Sequence, residues 1–255
     1  MRFASLGSGS QGNALVVEAQ GTRVLVDCGF GLAVTVARLA RLGLVPEDLS
    51  AIVVTHEHDD HIGGVARLAR RYGIPVWLTP GTLAGLEPLF EDVTSVRIIS
   101  NYQAFAIGDL EVHPFPVPHD AREPAQFVFA SGMGKLGVLT DVGCSTRHIE
   151  KMLSGCDALV LECNHDAAML RTSSYPQKLR DRIAGRFGHL DNATAAELLQ
   201  GLDNGKLKHI VAAHLSLENN RPELARAALS TVLGCAPEAI AIATQDEGLD
   251  WRAID

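Results

Sequence analysis

Histidine and aspartate side chains are concentrated in one short run of the sequence and recur at three later positions. Neutral imidazoles and carboxylates are the ligands that borderline divalent cations such as zinc prefer. One shared aspartate can hold two such ions about 3.5–4 Å apart. The pattern therefore predicts a two-metal site and hydrolytic chemistry. The seven candidate ligands are His56, His58, Asp60, His61, His119, Asp141 and His214.

The histidine-rich run lies between a predicted strand, residues 50–55, and a segment of helical periodicity, residues 62–72. On an extended strand, alternate residues of the run would share one face and His61 would point away. We expect loop backbone at 59–61, with the glycine pair that follows the run permitting tight geometry. The loop would turn the second half of the run toward a second metal.

Each later candidate also follows a strand-like stretch of sequence. Residues 110–117 precede His119, residues 135–140 precede Asp141, and residues 209–213 precede His214. The alternative is a set of loop histidines that bind no metal. The histidine-rich run and the three later candidates make four cases of metal-binding residue types at strand ends. Four such cases are improbable by chance, so the metal hypothesis is favoured.

The strand and helix pattern predicts an α/β fold in which helices cover both outer faces of paired sheets, a four-layer αββα sandwich. Strands are expected at 2–6, 14–18, 22–27, 50–55, 76–78, 96–99, 103–107, 110–117, 126–130, 136–140, 158–162, 210–213 and 239–243. Helices are expected at 32–42, 62–72, 146–153, 221–232 and through most of 166–201.

The chain has 255 residues, of which 47% are hydrophobic, and no Pro/Gly/Ser-rich linker divides it. We therefore expect a single domain over 1–255. No apolar run approaches the ~20 residues needed to cross a bilayer. The first residues lead into a Gly/Ser-rich segment rather than a signal-peptide core, which predicts a cytoplasmic protein.

Five cysteines without C-x-x-C spacing favour reduced, mostly buried thiols over disulfides or a zinc knuckle. Two of them are close in sequence to candidate ligands, where small core residues remain the favoured interpretation. The five are Cys28, Cys144, Cys156, Cys163 and Cys235.

The net charge of −8 argues against nucleic-acid binding by bulk electrostatics. The charge is unevenly distributed, however, because the segment from Arg171 to His189 contains five basic residues and one acidic residue. This basic segment is either a solvated helix face or a contact for a phosphate backbone. The sequence leaves both open.

The motif H-x-H-x-D-H with later His, Asp and His residues resembles the metallo-β-lactamase superfamily. Further segments resemble the YycJ/WalJ group of bacterial exonuclease-like phosphodiesterases, and the resemblance covers nearly the whole chain. The group-like segments are SLGSGSQGNA at 5–14, LECNHD at 161–166, Tyr175-Pro, GHLDN at 188–192 and HLSLENN at 214–220.

The resemblance implies a division of the seven ligands between two metals. His56, His58 and His119 would hold the first ion, Asp60, His61 and His214 the second, and Asp141 would bridge them. Zinc is the expected ion, with manganese or iron as alternatives. A hydroxide shared by the two ions would attack phosphorus in DNA, with 5′→3′ exonuclease-like action.

His189 is the main candidate beyond the metal ligands, and with Asp60 and Asp141 it completes the proposed catalytic set. It precedes a helix predicted to begin near Asp191 or Thr194, where free backbone N–H groups favour phosphate. As an imidazolium it could contact phosphate or protonate the leaving oxygen. The candidates for substrate contact are Ser8, Asn13, Asn164, His165 and His189.

Two carboxylates are candidates for supporting roles. Asp27 could accept a hydrogen bond from a ligand histidine, and Asp59 could orient the nucleophile or a ligand. Asp191 stands where the related group is expected to have serine, which puts details of anion binding in doubt. His113, His148 and His209 are interpreted as structural.

Other members of the superfamily fit less well. The commonest β-lactamases carry cysteine where Asp141 stands, and flavodiiron proteins need a glutamate ligand, whereas a loop would aim Glu57 elsewhere. The 73 positions between Asp141 and His214 are too few for a β-CASP insertion, and no Gly/Pro-rich transfer-RNA-binding arm is found. The remaining alternatives are a thioester or ester hydrolase of glyoxalase II type and a metal-loaded scaffold without turnover. The basic segment favours a phosphodiester substrate.

Overall fold

Two seven-stranded sheets form the centre of the protein in this computed structural model, which describes residues 1–132 and 134–254. The strands alternate with helices through most of the chain. The strands are β1 (Arg2–Gly7), β2 (Ala14–Ala19), β3 (Thr22–Val26), β4 (Ala51–Val53), β5 (Val76–Leu78), β6 (Val96–Ile98), β7 (Phe105–Ile107), β8 (Leu110–Pro116), β9 (Ala125–Ser131), β10 (Gly134–Leu139), β11 (Ala158–Glu162), β12 (His209–Ala213), β13 (Ala241–Ile242) and β14 (Leu249–Ala253).

The two sheets have closely related topologies. The first has the strand order β14-β1-β2-β3-β4-β5-β6, and the second has the order β13-β12-β11-β10-β9-β8-β7. In the first sheet β3 to β6 run parallel, and in the second sheet β10 to β13 do. The carboxyl ends of parallel strands meet at one edge, where ligands commonly bind in such sheets.

Helices cover the outer face of each sheet. None of those in the described ranges is both long and apolar enough to span a membrane. The helices are α1 (Leu32–Arg41), α2 (Asp59–Ile62), α3 (Val65–Tyr72), α4 (Pro80–Phe90), α5 (Arg147–Leu153), α6 (Ala167–Thr172), α7 (Gln177–Ile183), α8 (Asn192–Gly201) and α9 (Pro222–Leu233), with short 3-10 turns at Pro46–Asp48 and Pro237–Ala239.

Three apolar layers hold these elements together. The central layer lies between the sheets, where Phe3 of the first sheet and Phe127 of the second are fully buried. The outer layer of the first sheet includes Leu39 of α1 and Leu68 of α3. The outer layer of the second sheet includes Leu198 of α8 and other helix residues. The layers confirm the predicted αββα sandwich.

The main errors of the sequence-based prediction concern α4 and β14, both of which it missed. Strand β14 lies at the sheet edge, pairs only with β1 and is largely exposed, so it lacks an apolar signature. Helix α4 contains Gly81 and Gly85, which lower helix propensity, and begins at a Thr79 cap. The predicted helical region 166–201 is divided into α6, α7 and α8.

The cysteines are all free thiols, as expected. Cys28, Cys156 and Cys163 are buried, Cys144 is half-buried and Cys235 is exposed. Burial raises the pKa of Cys28 to about 11, so this thiol is protonated and poorly reactive at neutral pH.

Candidate metal centre

The predicted ligands converge at the edge where the two sheets meet. The histidine-rich run follows β4 of the first sheet, while His119, Asp141 and His214 follow β8, β10 and β12 of the second. Five of the seven side chains are buried, and only His58 and Asp60 are half-exposed. The cluster therefore joins the two sheets and retains an opening to solvent.

The backbone of the histidine-rich run differs from the predicted loop. Residues Asp59–Ile62 form a single helical turn, α2, with His58 at its N-cap. The turn carries Asp60 and His61 round toward the second sheet. Gly63 and Gly64 both have negative φ, of −53° and −104°. The reason for glycine is close packing, since a Cβ on Gly64 would lie 2.0 Å from the carbonyl oxygen of Phe30.

Three imidazoles form the first ligand cluster. His56 Nε2 lies 3.0 Å from His58 Nδ1, and His119 Nε2 lies 3.3 Å from the same atom. All three ligand nitrogens lie within 4.8 Å of one another. This spacing allows one ion to contact all three.

The second cluster contains two imidazoles and two carboxylates. His61 Nε2 lies 3.4 Å from Asp60 Oδ2 and 3.1 Å from Asp141 Oδ2. His214 Nε2 lies 3.4 Å from Asp60 Oδ2 and 3.4 Å from Asp141 Oδ1. Asp141 Oδ1 also lies 3.9 Å from His119 Nε2 of the first cluster. Asp141 thus stands between the clusters, as a bridging ligand must.

Hydrogen bonds on the outer side of the rings set the tautomers. His61 Nδ1 lies 2.8 Å from the carboxylate of Asp27, which also accepts hydrogen bonds from the Thr55 amide and hydroxyl. His119 Nδ1 donates to the carbonyl of Gly188 at 3.1 Å. A neutral ring that donates through Nδ1 presents a lone pair at Nε2. The Nε2 atoms of both rings therefore face the cluster as metal ligands would.

The donor set fits two divalent cations. Asp141 Oδ2 is fully buried and has no hydrogen-bond partner among the described residues. Burial opposes ionisation of Asp141, but the neighbouring His214 and His61 outweigh it and hold its pKa well below the usual range. Burial also disfavours the charged form of His61 and so lowers its pKa. The charges of Asp141 and Asp27 outweigh this effect and raise the pKa of His61 well above the ordinary value. The site stabilises positive charge.

Three residues of the centre adopt the left-handed backbone conformation that non-glycine residues rarely take. The φ angles are 59° for Asp27, 52° for Asp141 and 55° for His214. Each residue lies directly at or just beyond the end of a strand. Such conformations cost about 1–3 kcal/mol each and are found mainly at functional sites. Here they turn the side chains toward the centre.

Glu162, at the end of β11, supports both Asp141 and His189. Its carboxylate is fully buried and accepts hydrogen bonds from the amides of Asp141, Val142 and Leu190 at 3.0–3.1 Å. His189 Nδ1 contacts it at 2.8 Å. Sequence reasoning missed this role, although an acidic residue that closes an otherwise apolar strand was the available signal.

His189 lies beside the metal ligands. Its ring stacks on His214 with centroids 5.3 Å apart, and its Nδ1 is 3.7 Å from Asp141 Oδ1. Burial lowers the pKa of His189, but the charge and hydrogen bond of Glu162 outweigh it and raise the pKa to about 9. This side chain therefore adds positive charge to the site.

The backbone N–H groups at the start of the following helix, which the sequence predicts to be free, are hydrogen-bonded in the structure. Helix α8 begins at Asn192, and the side chain of Asp191 accepts hydrogen bonds from the amides of Ala193 and Thr194 at 2.8 and 3.1 Å. These amides are therefore already paired with a carboxylate of the chain itself. A phosphate would have to displace an anion from this helix end.

The remaining substrate-contact candidates lie around the second cluster. Ser8 accepts a hydrogen bond from the His214 amide at 2.9 Å, and Asn13 lies 3.2 Å from Asp60 Oδ2. Asn164 lies 3.2 Å from His214 Nδ1, and His165 is buried beside Asn164. Ser8, Asn13 and Asn164 therefore contact candidate ligands, whereas His165 contacts Asn164. Substrate contact stays a prediction for all four.

Three acidic residues near the centre, Glu57, Asp59 and Asp120, do not belong to the two ligand clusters. Glu57 accepts a hydrogen bond from the Arg122 amide, away from the ligands, as anticipated. Asp59 is exposed on α2. Asp120, which the sequence analysis did not single out, lies 3.5 Å from His119 Nε2 and pairs with Arg182 at 2.5 Å. The pair places a basic residue at the rim of the centre.

A cleft of about 330 Å³ opens beside His189 between α6, α7 and α8. His165 and Asp191 line its inner part, and Arg171 and Arg180 line its outer part. The volume is within the range of pockets that hold small molecules. The cleft reaches from the basic segment to His189, which lies beside the candidate ligands.

The fold and the two ligand clusters are those of a metal-dependent hydrolase. A model of the β-lactamase superfamily domain matches residues 22–214. Exodeoxyribonuclease YycJ of Bacillus anthracis is 39% identical over 235 residues, which cover 91% of this chain and 89% of that protein. Exodeoxyribonuclease WalJ of Streptococcus pneumoniae serotype 2 is 33% identical over 258 residues, covering 100% and 93%.

Among solved structures, the metallo-β-lactamase fold protein YhfI from Bacillus subtilis superposes with a TM-score of 0.76 at 17% identity, covering 98% of each chain. The chain belongs to the metallo-β-lactamase superfamily. It is a metal-dependent hydrolase of the nuclease and phosphodiesterase type, as the sequence analysis predicted.

Proposed function

We propose that the protein is a DNA exonuclease that hydrolyses phosphodiester bonds at the centre formed by the seven ligands. The observation that carries the proposal is the position of Asp141 between the two clusters. His189 and the cleft lined by Arg171 and Arg180 lie beside it. The names of the two relatives, exodeoxyribonucleases that align over nearly the whole chain, support DNA as the substrate.

Two divalent cations would supply Lewis acidity and a water molecule of lowered pKa. His56, His58 and His119 would hold one ion, Asp60, His61 and His214 the other, and Asp141 both. We propose zinc as the first choice because the site is rich in imidazole, with manganese or iron as alternatives.

His189 is the residue of the chain best placed to meet the substrate. Glu162 fixes its Nδ1, so that the orientation of the ring is set before substrate binds. We expect Nε2 to donate a hydrogen bond to a phosphate oxygen or to the leaving oxygen. Asp60 and Asp141 would complete the catalytic set by holding the metal ions that act on the phosphate.

The test is a cleavage assay on defined substrates with Zn, Mn, Mg or Fe added to metal-stripped protein. The substrates are single- and double-stranded DNA labelled at either end, RNA, bis-p-nitrophenyl phosphate and a glutathione thioester. We expect release of nucleotides from the 5′ end of DNA. Activity on the thioester alone would support the glyoxalase II alternative and overturn the proposal.

The Asp141→Asn variant tests whether the hydrolytic activity depends on the proposed metal centre. We expect it to lose activity by at least about a hundredfold, because a neutral amide cannot bridge two cations as a carboxylate does. Asp92→Asn, at a carboxylate with 84% exposure, is the matched control and should retain full activity. Equal activity of both variants would place catalysis elsewhere.

A further inference from the structure

Phe187 is a large apolar side chain that remains 55% exposed at the rim of the metal centre. It lies in the connection between α7 and α8, and its carbonyl accepts a hydrogen bond from the Asp120 amide at 3.0 Å. The next carbonyl, that of Gly188, contacts the ligand His119. Two successive peptide groups thus attach this connection to the segment that carries a metal ligand.

The connection has little freedom to bury the ring. The amide of Gly188 donates to Gly185 at 2.8 Å, and the amide of His189 donates to Ile183 at 2.9 Å. The backbone is also packed against Gly143, where a Cβ would lie 2.2 Å from the Arg186 carbonyl oxygen. A fixed backbone therefore holds the aromatic ring in solvent, although burial of a Phe side chain would be favourable.

One basic side chain lies near the ring, and two others belong to the same segment of the chain. The guanidinium of Arg186 lies 5.9 Å from the ring centroid, and Arg182, with a side chain 57% exposed, reaches Asp120 next to His119. Lys178 is also exposed in this basic segment, within a chain whose net charge is −8. An exposed aromatic ring among cations is the combination that single-stranded nucleic acids bind.

We propose that Phe187 is a stacking platform for a nucleobase close to the scissile phosphate, with Arg186 and Arg182 as contacts for the backbone. The inference rests on the proposed function and adds that the substrate strand is unpaired where it enters the centre. Stacking requires a free base face, so a paired end would have to open before it could engage the ring.

Singly exposed apolar residues are common on proteins and need no ligand. The proposal is therefore tested with three substitutions that separate stacking from apolar contact. Phe187→Ala removes the ring, Phe187→Leu retains apolar surface without a π face, and Phe187→Trp retains a larger π face. The thermal midpoint of each variant verifies that the fold is intact.

We expect Phe187→Ala to raise KM for a single-stranded 12-nucleotide DNA about tenfold. Phe187→Leu should resemble the alanine variant, and Phe187→Trp should restore the wild-type value. The KM for a 12-nucleotide strand built only from abasic nucleotides, which has no base to stack, should be the same in all three variants and in the wild-type protein. In EDTA, the oligonucleotide should quench the indole fluorescence of Phe187→Trp more than that of the wild-type protein, which contains Trp77 and Trp251, and this difference should be lost when the stacked nucleotide is abasic.

The outcomes separate this inference from the proposed function. Parallel loss of cleavage of the abasic strand would show that the ring merely supports the His189 backbone, which overturns the inference. Unchanged KM in Phe187→Ala, in a protein that cleaves DNA, would overturn it while leaving the nuclease function intact. Absence of DNA cleavage and binding in the wild-type protein would instead refute the proposed function, and the inference with it.

Discussion

Glu162 shows how one buried side chain positions several groups of the centre. It accepts hydrogen bonds from three backbone amides and contacts the His189 ring. A single carboxylate of β11 therefore fixes residues that follow β10 and residues of the connection before α8. A fully buried carboxylate with four donors is stable only because every donor is present. Its geometry therefore depends on the charge as well as on the size of the side chain.

The Glu162→Gln variant tests this dependence. The amide matches the carboxylate in shape but presents an NH₂ group to a backbone N–H and removes the counter-charge of His189. We expect the free energy of unfolding to fall by about 3 kcal/mol, and DNA hydrolysis to fall about 10- to 100-fold. Chemical denaturation and cleavage rates provide the measurements. The exposed Glu197→Gln is the matched control and should change neither.

The convergence of the seven candidate ligands could be predicted from sequence because their types and spacing single them out without knowledge of their partners. For Glu162 the only signal was an acidic residue at the end of an apolar strand. The partners of Glu162 and Asp120 could not be predicted, since these contacts join distant segments. Glu162 lies beside Asp141 only because β11 pairs with β10 in parallel register. Asp191 was identified from sequence as a residue that opposes anion binding at this helix start, but the sequence does not show that its side chain accepts hydrogen bonds from the helix amides.

At the scale of elements, the connection between α7 and α8 forms one wall of the centre and is held by close backbone packing. Gly143, just after the ligand Asp141, lies directly under the Arg186 and Gly188 backbone. The same packing of backbone on glycine occurs where Gly64 meets the Phe30 carbonyl oxygen. Sequence periodicity reports neither contact. The glycine pair after the histidine-rich run was therefore predicted to permit tight backbone geometry, whereas the structure shows close packing at Gly64.

Two glycine substitutions should therefore have opposite effects. Gly143→Ala would place a methyl group 2.2 Å from the Arg186 carbonyl oxygen and displace the connection that carries His189. Because a displacement of about 1 Å can cost a hundredfold in rate, we expect roughly that loss of DNA hydrolysis. Gly201→Ala, in α8 with no atom within 4 Å of the added Cβ, should retain activity and raise stability by about 0.5 kcal/mol.

Hydrogen exchange gives the structural readout of this comparison. Amides of residues 183–189 should exchange faster in Gly143→Ala than in the wild-type protein, and at an unchanged rate in Gly201→Ala. Wild-type activity and protection in Gly143→Ala would mean that the backbone of the connection moves away without effect, and that its contact with Gly143 does not position His189.

At the scale of the whole molecule, the centre is a link between the two sheets. The first sheet contributes the histidine-rich run, and the second contributes His119, Asp141 and His214. The general architecture could be predicted because the sequence alternates strands and helices. The apolar outer faces of the sheets must be buried under helices, and few arrangements achieve this. The edge position of β14 could not, because strand order depends on pairings that a single sequence does not display.

Because ligands from both sheets meet in one cluster, metal binding should stabilise the entire sandwich. A cation present at about 100 times its Kd adds about 2.7 kcal/mol, which for a protein of this size raises the Tm by roughly 8 °C. We expect EDTA to remove this increment and stoichiometric zinc or manganese to restore it, as followed by thermal unfolding.

His214→Ala should show a much smaller metal-dependent shift of the Tm, since one ligand from the second sheet is lost. His113→Ala, at a half-buried histidine of β8 outside the clusters, is the matched control and should retain the full shift. A Tm that is independent of metal in the wild-type protein would show that the cluster does not link the sheets through a bound cation.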